Sequence, residues 1–332
     1  VIMMKVVYLE HPHSIQQKEC DPSVVALGFF DGIHLGHQSV IKAAIKTARE
    51  HNLKASVMTL DPHPSVVLRK TVQHVRYITP LMEKIKILNQ LGVDILYVVK
   101  FDLGFAGLVP QDFVDQYIIG LNIKHVVAGF DYSYGRLGKG TMETLPFHSR
   151  GQFNQTVIEK YTTNNLKVSS TLIREQIKEG EMDKLPLTLG RYYVIRGTVG
   201  HGDKRGRTIG FPTANIKLSD EYVIPRTGVY AVRMHVRGRW YQGVCNIGYK
   251  PTFKEREKED LPSIEVHLFE FSESIYGEEV IVEWHQSIRE ERKFDGVDAL
   301  IAQIQMDKET SLDYFQKSTP DTCFLSKKDV CY

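Results

Sequence analysis

The sequence predicts two domains of different grammar: a doubly wound α/β domain first, then a small antiparallel β-barrel or sandwich closed by a helix. Three observations predict this. A chain of 332 residues holds about two domains at roughly 150 residues each. From Met4 to about Arg150, short apolar runs alternate with segments of helical period, the pattern of crossover units on a parallel sheet. After about Tyr192 the pattern changes to period-two strands punctuated by Gly and Pro, with no crossover helix until near the C-terminus.

In the first half the strand candidates are Lys5 to Leu9, Val24 to Phe30, Ala55 to Leu60, Ile95 to Phe101 and His125 to Phe130. Three amphipathic helices lie between them. One carries the stripe Val40, Ile41, Ala44, Ile45 and Ala48; the next runs through Met82, Ile85 and Leu88 after Thr79-Pro80; the third runs through Phe113, Tyr117 and Ile118. Leu172 to Gly190 reads as a helix and a connector, which puts the boundary near residue 186: domains 1–186 and 187–318, then a tail 319–332 with Cys323 and Cys331. In the second half, Gly228 to Val236 places Tyr230, Val232, Met234 and Val236 on one face and Arg233 and His235 on the other, an antiparallel, half-solvated strand. Tyr193 to Val199, Trp240 to Asn246, Ser263 to Phe271 and Glu279 to Trp284 extend the set, and a closing helix carries Val297, Leu300, Ile301 and Ile304.

Composition excludes several classes. Lys and Arg total 42 against 40 Asp and Glu, a formal net charge of +2, so no global field recruits nucleic acid or an anionic membrane, and any anion site must be local. Hydrophobic residues at 42% and charged residues at 25% argue against disorder and disulfide miniproteins. The four cysteines show no CxxC spacing, which suits a reducing compartment. Apolar stretches such as Ile95 to Val99 fall short of the roughly 18 to 20 residues that span a bilayer, and the N-terminus lacks a long apolar core with a cleavage site. The expected location is cytoplasmic.

Chemistry concentrates first where the strand Val24 to Phe30 runs into Asp31-Gly32-Ile33-His34-Leu35-Gly36-His37 and a helix. Glycines at 28, 32 and 36 let the backbone approach a ligand, and a helix N-terminus offers unpaired N–H groups to a polyphosphate. Two imidazoles three residues apart add donors to the same anion. A bare histidine pair also suits a metal or a structural turn, but no cysteine or third nearby ligand completes a metal set. The spacing is neither GxGxxG nor GxxxxGK[ST].

The string GFFDGIHLGHQ resembles the HxGH signature of the nucleotidyltransferase superfamily, in which a nucleoside triphosphate is attacked at its α-phosphorus. Ser169-Ser170-Thr171-Leu172-Ile173-Arg174 resembles the SSTxIR motif of bacterial FAD synthetases; taken alone, Ser-Ser-Thr before a helix reads as a cap. TLDPHP, Thr59 to Pro64, and GFDYSYG, Gly129 to Gly135, resemble that family's TFxPHP and GxDFxFG, with Leu60, Tyr132 and Tyr134 in place of Phe. The resemblance implies that His34, His37 and Arg174 are catalytic. It implies that Gly28, Phe30, Asp31, Gly32, Gly36, Ser169, Ser170 and Thr171 meet ATP and its phosphates, and that Asp61, Asp131 and Tyr132 lie at the flavin.

The second half carries a longer match. GDKRGRTIGFPTANI, Gly202 to Ile216, is similar to the riboflavin kinase signature, and GVYAV, NIGYKPTF, IEVHLFEF and IREERKF follow in that family's order. From about Lys5 to Asp307 the chain resembles the bacterial bifunctional riboflavin kinase/FAD synthetases. That implies a Rossmann-like nucleotidyltransferase domain of HxGH type, followed by a Greek-key β-barrel with a C-terminal helix. By the resemblance, Gly202, Lys204, Gly206, Arg207 and Gly210 fold over the triphosphate, Thr213 and Asn215 hold Mg²⁺, and Glu265 takes the proton of the ribityl 5′-hydroxyl. The same resemblance implies that Arg289 lies in the flavin pocket, with Arg292 as an alternative for that role. The residue types agree: a basic glycine-rich loop suits a polyphosphate, though it also suits a solvated hairpin. Ile264, Val266 and Leu268 on one strand face send Glu265 to the other.

The expected activity is phosphorylation of riboflavin by ATP to FMN, then adenylylation of FMN by ATP to FAD with release of pyrophosphate. Mg²⁺ serves both steps, the partners are riboflavin, FMN and ATP, and no nucleic acid or membrane partner is expected. The rivals are an HxGH nucleotidyltransferase on another phosphorylated acceptor and a flavin-sensing regulator. The first has no reason to carry the PTAN half.

Overall fold

The computed structural model describes residues 3–69, 75–163, 166–202, 205–249 and 261–318, with the backbone alone at 166, 205 and 207. Lys204, the Arg207 side chain, the PTF of NIGYKPTF and the Cys323/Cys331 tail therefore lie outside the described residues. The chain folds as two units, Val1–Ser170 and Thr171–Tyr332.

In the first unit six strands pair in parallel: β1 (Lys5–Leu9), β2 (Ser23–Leu27), β3 (Lys54–Asp61), β4 (Ile95–Lys100), β5 (Ile123–Gly129) and β6 (Asn154–Ile158), in the order β1-β4-β3-β2-β5-β6. β2 is an unbroken apolar run because both of its faces are covered. Val25 and Leu27 join the core on one side of the sheet, Val24 and Ala26 the core on the other. From β2 the chain builds outward through β3 and β4, then returns to place β5 on the opposite side of β2. Such a reversal opens a crevice at the carboxyl ends of the strands, where α/β sheets bind ligands.

Helix α1 (Leu35–Glu50) buries Val40, Ile41, Ala44 and Ala48, as its period predicts. Helix α2 (Leu81–Leu91) differs from expectation: it buries Glu83, Lys84, Ile87 and Leu88, while Met82 is exposed. Two buried charges on the inward face shift the stripe. The expected third helix is a short α-turn, Pro110–Phe113, running into a widened turn, Val114–Ile119, closed by an N–H of Gly120 bonded to the carbonyl of Asp115 at 2.8 Å. Phe113, Tyr117 and Ile118 are buried as expected.

One boundary and one strand also correct the sequence reading. β2 stops at Leu27 instead of Phe30, because Phe30 adopts a left-handed conformation (φ 55°) that ends an extended strand. The edge strand β6 was not expected at all. Its Asn-Gln-Thr opening is partly exposed and carries no apolar alternation.

In the second unit, after helix α3 (Ser170–Glu179), six antiparallel strands close into a barrel: β7 (Tyr193–Gly200), β8 (Ala214–Leu218), β9 (Gly228–Val236), β10 (Arg239–Gly248), β11 (Ser263–Leu268) and β12 (Glu279–Arg289), in the order β7-β8-β11-β10-β9-β12 with β12 back on β7. β8 was not among the expected strands, and β12 runs five residues past Trp284 to Arg289. Tyr193, Tyr230, Val266 and Trp284 fill the interior.

The outer face of β9 is not half-solvated as expected. Val229 packs with Val244, Phe269, Ile288 and Leu312, the last of these on helix α4 (Val297–Lys317), and His235 is buried. Arg233 donates from Nε (2.9 Å) and Nη2 (2.5 Å) to Oε1 of the buried Glu283. α4 itself departs from its expected apolar stripe. It buries Gln303, Asp307 and Ser311, leaves Leu300, Ile301 and Ile304 half-buried and exposes Val297, because its inward face answers arginines. Among the described residues no helix is long and apolar enough to cross a membrane.

Two candidate active sites

The first site begins where β2 ends. A Cβ on Gly28 would stand 2.8 Å from the Phe30 ring, so only glycine fits under that ring. Phe30 (φ 55°), Gly32 (φ 91°) and Ile33 (φ 39°) then make a left-handed turn. Two non-glycine residues in that region are strained, and the turn is held accordingly. The buried Asp31 carboxylate accepts the N–H groups of Ile78 (3.3 Å) and Thr79 (3.0 Å), and the Ser170 hydroxyl donates to the Asp31 carbonyl at 2.9 Å.

His34 caps α1 with its side chain, Nδ1 accepting the N–H of His37 at 3.2 Å. In the neutral ring that acceptor role leaves the proton on Nε2. The two imidazoles stack at 3.5 Å between centroids and 19° between planes, and His37 stands edge-on to Phe30 at 5.3 Å. A Cβ at Gly36 would meet the His34 ring at 3.1 Å. Stacked imidazoles at the N-terminus of a sixteen-residue helix form a compact donor set for an anion.

Phe30, Asp31, Gly32, His34, Gly36, His37 and Ser170 are thus brought together, with Ser169 adjacent in sequence. Thr171 and Arg174 lie near the start of α3 and fall in the second unit. Asp61 ends β3, half-buried. The exposed Asp131 stands 3.7 Å from the Lys167 ammonium, and Tyr132 lies parallel to Tyr134 at 6.4 Å. Lys160 and Lys167 both approach the Phe130 ring, at 4.8 and 5.8 Å. Sequence reasoning assigned no role to Phe29 or His63, whose rings meet edge-on at 4.6 Å, or to the buried Lys84. The PHP string was the available signal for His63; nothing local marks a helix lysine as buried.

The second site lies on the barrel. Ile264, Val266 and Leu268 point inward, and Glu265 projects to the outside, half-buried. In register, Asn215 on β8 faces Glu265 on β11, and Glu265 faces Asn246 on β10, one cross-strand row of polar side chains. The Thr213 hydroxyl is 3.4 Å from Glu265 Oε2. The turn before β8 is pinned by His267, whose Nδ1 is 2.8 Å from the Pro212 carbonyl. Burial pushes the His267 pKa down, against the pull of that carbonyl, so the ring is neutral at pH 7 and donates.

A Cβ on Gly206 would overlap the Phe211 carbonyl, so that position must be glycine, and one on Gly202 would displace the Asn215 amide. Gly210 takes φ 86°. A cavity of about 470 Å³ lies beside Thr213, lined also by Val199, Ala214, Val266, Phe271 and Tyr276. Tyr276 stacks on His201 at 4.4 Å. Arg289 ends β12 with its guanidinium on Asp307, and Arg292 bonds Gln303; both flank the Phe294 ring, at 5.5 and 5.0 Å.

Comparison with known proteins gives two family matches: FAD synthetase over residues 16–172 and riboflavin kinase over residues 189–315. A bifunctional riboflavin kinase/FMN adenylyltransferase of Bacillus subtilis is 51% identical over 94% of this chain and 98% of its own length. One of Escherichia coli K12 is 33% identical over 93% and 97%. A solved structure described as a macrolide-efflux protein from Streptococcus pneumoniae shares the fold at a TM-score of 0.84 and 36% identity, over 93% of this chain and 99% of that one.

Proposed function

The chain belongs to the bifunctional riboflavin kinase/FMN adenylyltransferase family, and on that premise we propose how its residues divide the two reactions. The protein phosphorylates riboflavin with ATP to FMN and ADP, and adenylylates FMN with ATP to FAD and pyrophosphate, both with Mg·ATP.

Residues 1–186 carry adenylyl transfer. The FMN phosphate, already an anion at neutral pH, attacks the α-phosphorus of ATP, so no strong base is needed. The His34 and His37 donors, the backbone N–H groups of the turn and the α1 N-terminus take up charge as pyrophosphate leaves. Ser169, Ser170, Thr171 and Arg174 hold the phosphates, and Asp61, Asp131 and Tyr132 place the flavin. The Ser170 bond to the Asp31 carbonyl supports this reading, since it couples the two motifs.

Residues 187–318 carry the kinase. An alcohol must be deprotonated here, and the Glu265 carboxylate accepts the 5′-hydroxyl proton as the oxygen attacks the γ-phosphorus. The Gly202–Gly210 segment, with Lys204 and Arg207, folds over the phosphates, the cavity beside Thr213 takes the adenine, and Arg289 borders the flavin. The side-chain oxygens of Thr213 and Asn215 are hard donors that fit Mg²⁺. When bound there, the ion would supply positive charge that offsets the charge of the phosphates. The protein acts on small molecules in the cytoplasm and without nucleic acid; its near-balanced charge supports that reading.

The observation that carries this division is the Asn215–Glu265–Asn246 row, which sets a carboxylate among neutral oxygen and amide groups on the barrel while the histidine turn lies in the other unit. Incubation with riboflavin and Mg·ATP, with chromatographic separation over time, tests it: FMN rises before FAD, and FAD without transient FMN overturns it.

A further inference from the structure

Lys84, near the start of α2, is 3% exposed, and nothing in the scheme above uses it. Its ammonium donates to the Phe29 carbonyl at 2.7 Å and to Thr59 Oγ1 at 3.0 Å, and it stands 4.6 Å from the centroid of the Phe29 ring. Thr59 donates to the same Phe29 carbonyl at 2.8 Å. A buried ammonium is costly, and an apolar side chain would fill the same space at less expense to stability.

What Lys84 grips is the last residue before the strained turn. The same stretch of chain, 78–84, holds the turn at two points: the N–H groups of Ile78 and Thr79 on the Asp31 carboxylate, and Lys84 on the Phe29 carbonyl. Between and beyond those points lie Phe30, Gly32 and Ile33, all left-handed, and then His34 and His37. We propose that Lys84 is a positioning residue for adenylyl transfer: its buried ammonium locks the turn that presents His34 and His37 and adds a fixed positive charge to the field that receives the triphosphate. The proposal rests on the reading of that turn as the adenylylation site.

Burial pulls the Lys84 pKa down to about 8, opposed by Asp31 on the turn and Asp61 at the end of β3. The charge is thus present at pH 7 and lost as pH rises through that value, whereas an arginine keeps it.

The test uses the full chain and follows FAD formation from supplied FMN, with FMN formation by the same chain as the check on folding. Lys84→Met should lower kcat for FAD about tenfold or more at pH 7, with KM for FMN within about threefold, and leave FMN formation unchanged. Lys84→Arg should recover most of kcat and lose the alkaline decline expected of the parent protein above about pH 8. A Lys84→Met protein within about twofold of the parent in FAD formation, or an alkaline decline unchanged in Lys84→Arg, overturns the proposal. The second criterion decides even if Lys84→Met fails to fold. His37→Ala separates the two levels: if it too leaves FAD formation intact, the site is misplaced, and if it alone abolishes FAD, only the Lys84 inference falls.

Discussion

Asp307, buried in the middle of α4, holds the guanidinium of Arg289 at the end of β12 by two parallel bonds, Nε to Oδ1 at 2.9 Å and Nη2 to Oδ2 at 2.8 Å. Gln303, one turn earlier on the helix, donates to Asp307 Oδ1 at 2.7 Å and accepts from Arg292. The IREERKF segment is thus fastened to the C-terminal helix through its arginines.

Removing one partner of a buried pair leaves the other charge uncompensated. Asp307→Ala should destabilise the second unit by about 3–5 kcal/mol, and Asp307→Asn, which keeps an acceptor oxygen, by less. The chain's 2 tryptophans, Trp240 and Trp284, both lie in that unit, so denaturant unfolding followed by tryptophan fluorescence reads the change directly. An Asp307→Ala midpoint equal to that of the parent would show the pair to contribute nothing.

Glu265→Gln preserves shape and removes the base. FMN formation should fall by about 10² or more, while FAD formation from supplied FMN stays at the parent rate. Loss of both activities in a folded protein would contradict the separation of the sites.

His37→Ala should do the reverse, lowering FAD formation by about 10²–10³ and sparing the kinase. Pyrophosphate release with FMN and Mg·ATP measures it. Because the His37 ring also stacks on His34, His37→Asn, which keeps a donor, should retain more activity than His37→Ala.

Acid should weaken the barrel in two stages. His267, His285 and His235 are all held below the ordinary histidine range by burial; at His285 this outweighs the opposing pull of ionised Glu283. As pH falls below about 6.5, the unfolded chain binds protons that these rings refuse, so stability falls at up to about 1.4 kcal/mol per pH unit for each ring. Glu283 is buried, but His285 and Arg233 more than offset that cost and hold its carboxyl below the usual range. Its contribution is present above about pH 4.5 and lost as pH falls below. Tryptophan-monitored melting between pH 8 and pH 4 checks this, and a flat profile from pH 7.5 to 5.5 would refute it.

Much was legible along the chain because it is local. The strand that is apolar on both faces, the stripe of α1 and the Asp31 to His37 turn each follow from short-range spacing, and the family motifs lie in contiguous strings. Where reading failed, the deciding partner was remote. The polar opening of β6 becomes a strand only because β5 offers an unpaired edge, and β8 is set as a strand by β7 and β11 on either side of it.

From residue order alone came the two grammars, the motif residues and, through them, the pair of reactions. Tertiary structure alone decided which polar groups meet: Thr213 with Glu265, Arg289 with Asp307, Lys84 with Phe29. The physical reason is range. Periodicity and turn chemistry act over a few residues, whereas whether a charge is buried, and by what it is compensated, depends on chain segments that only folding brings within hydrogen-bond distance.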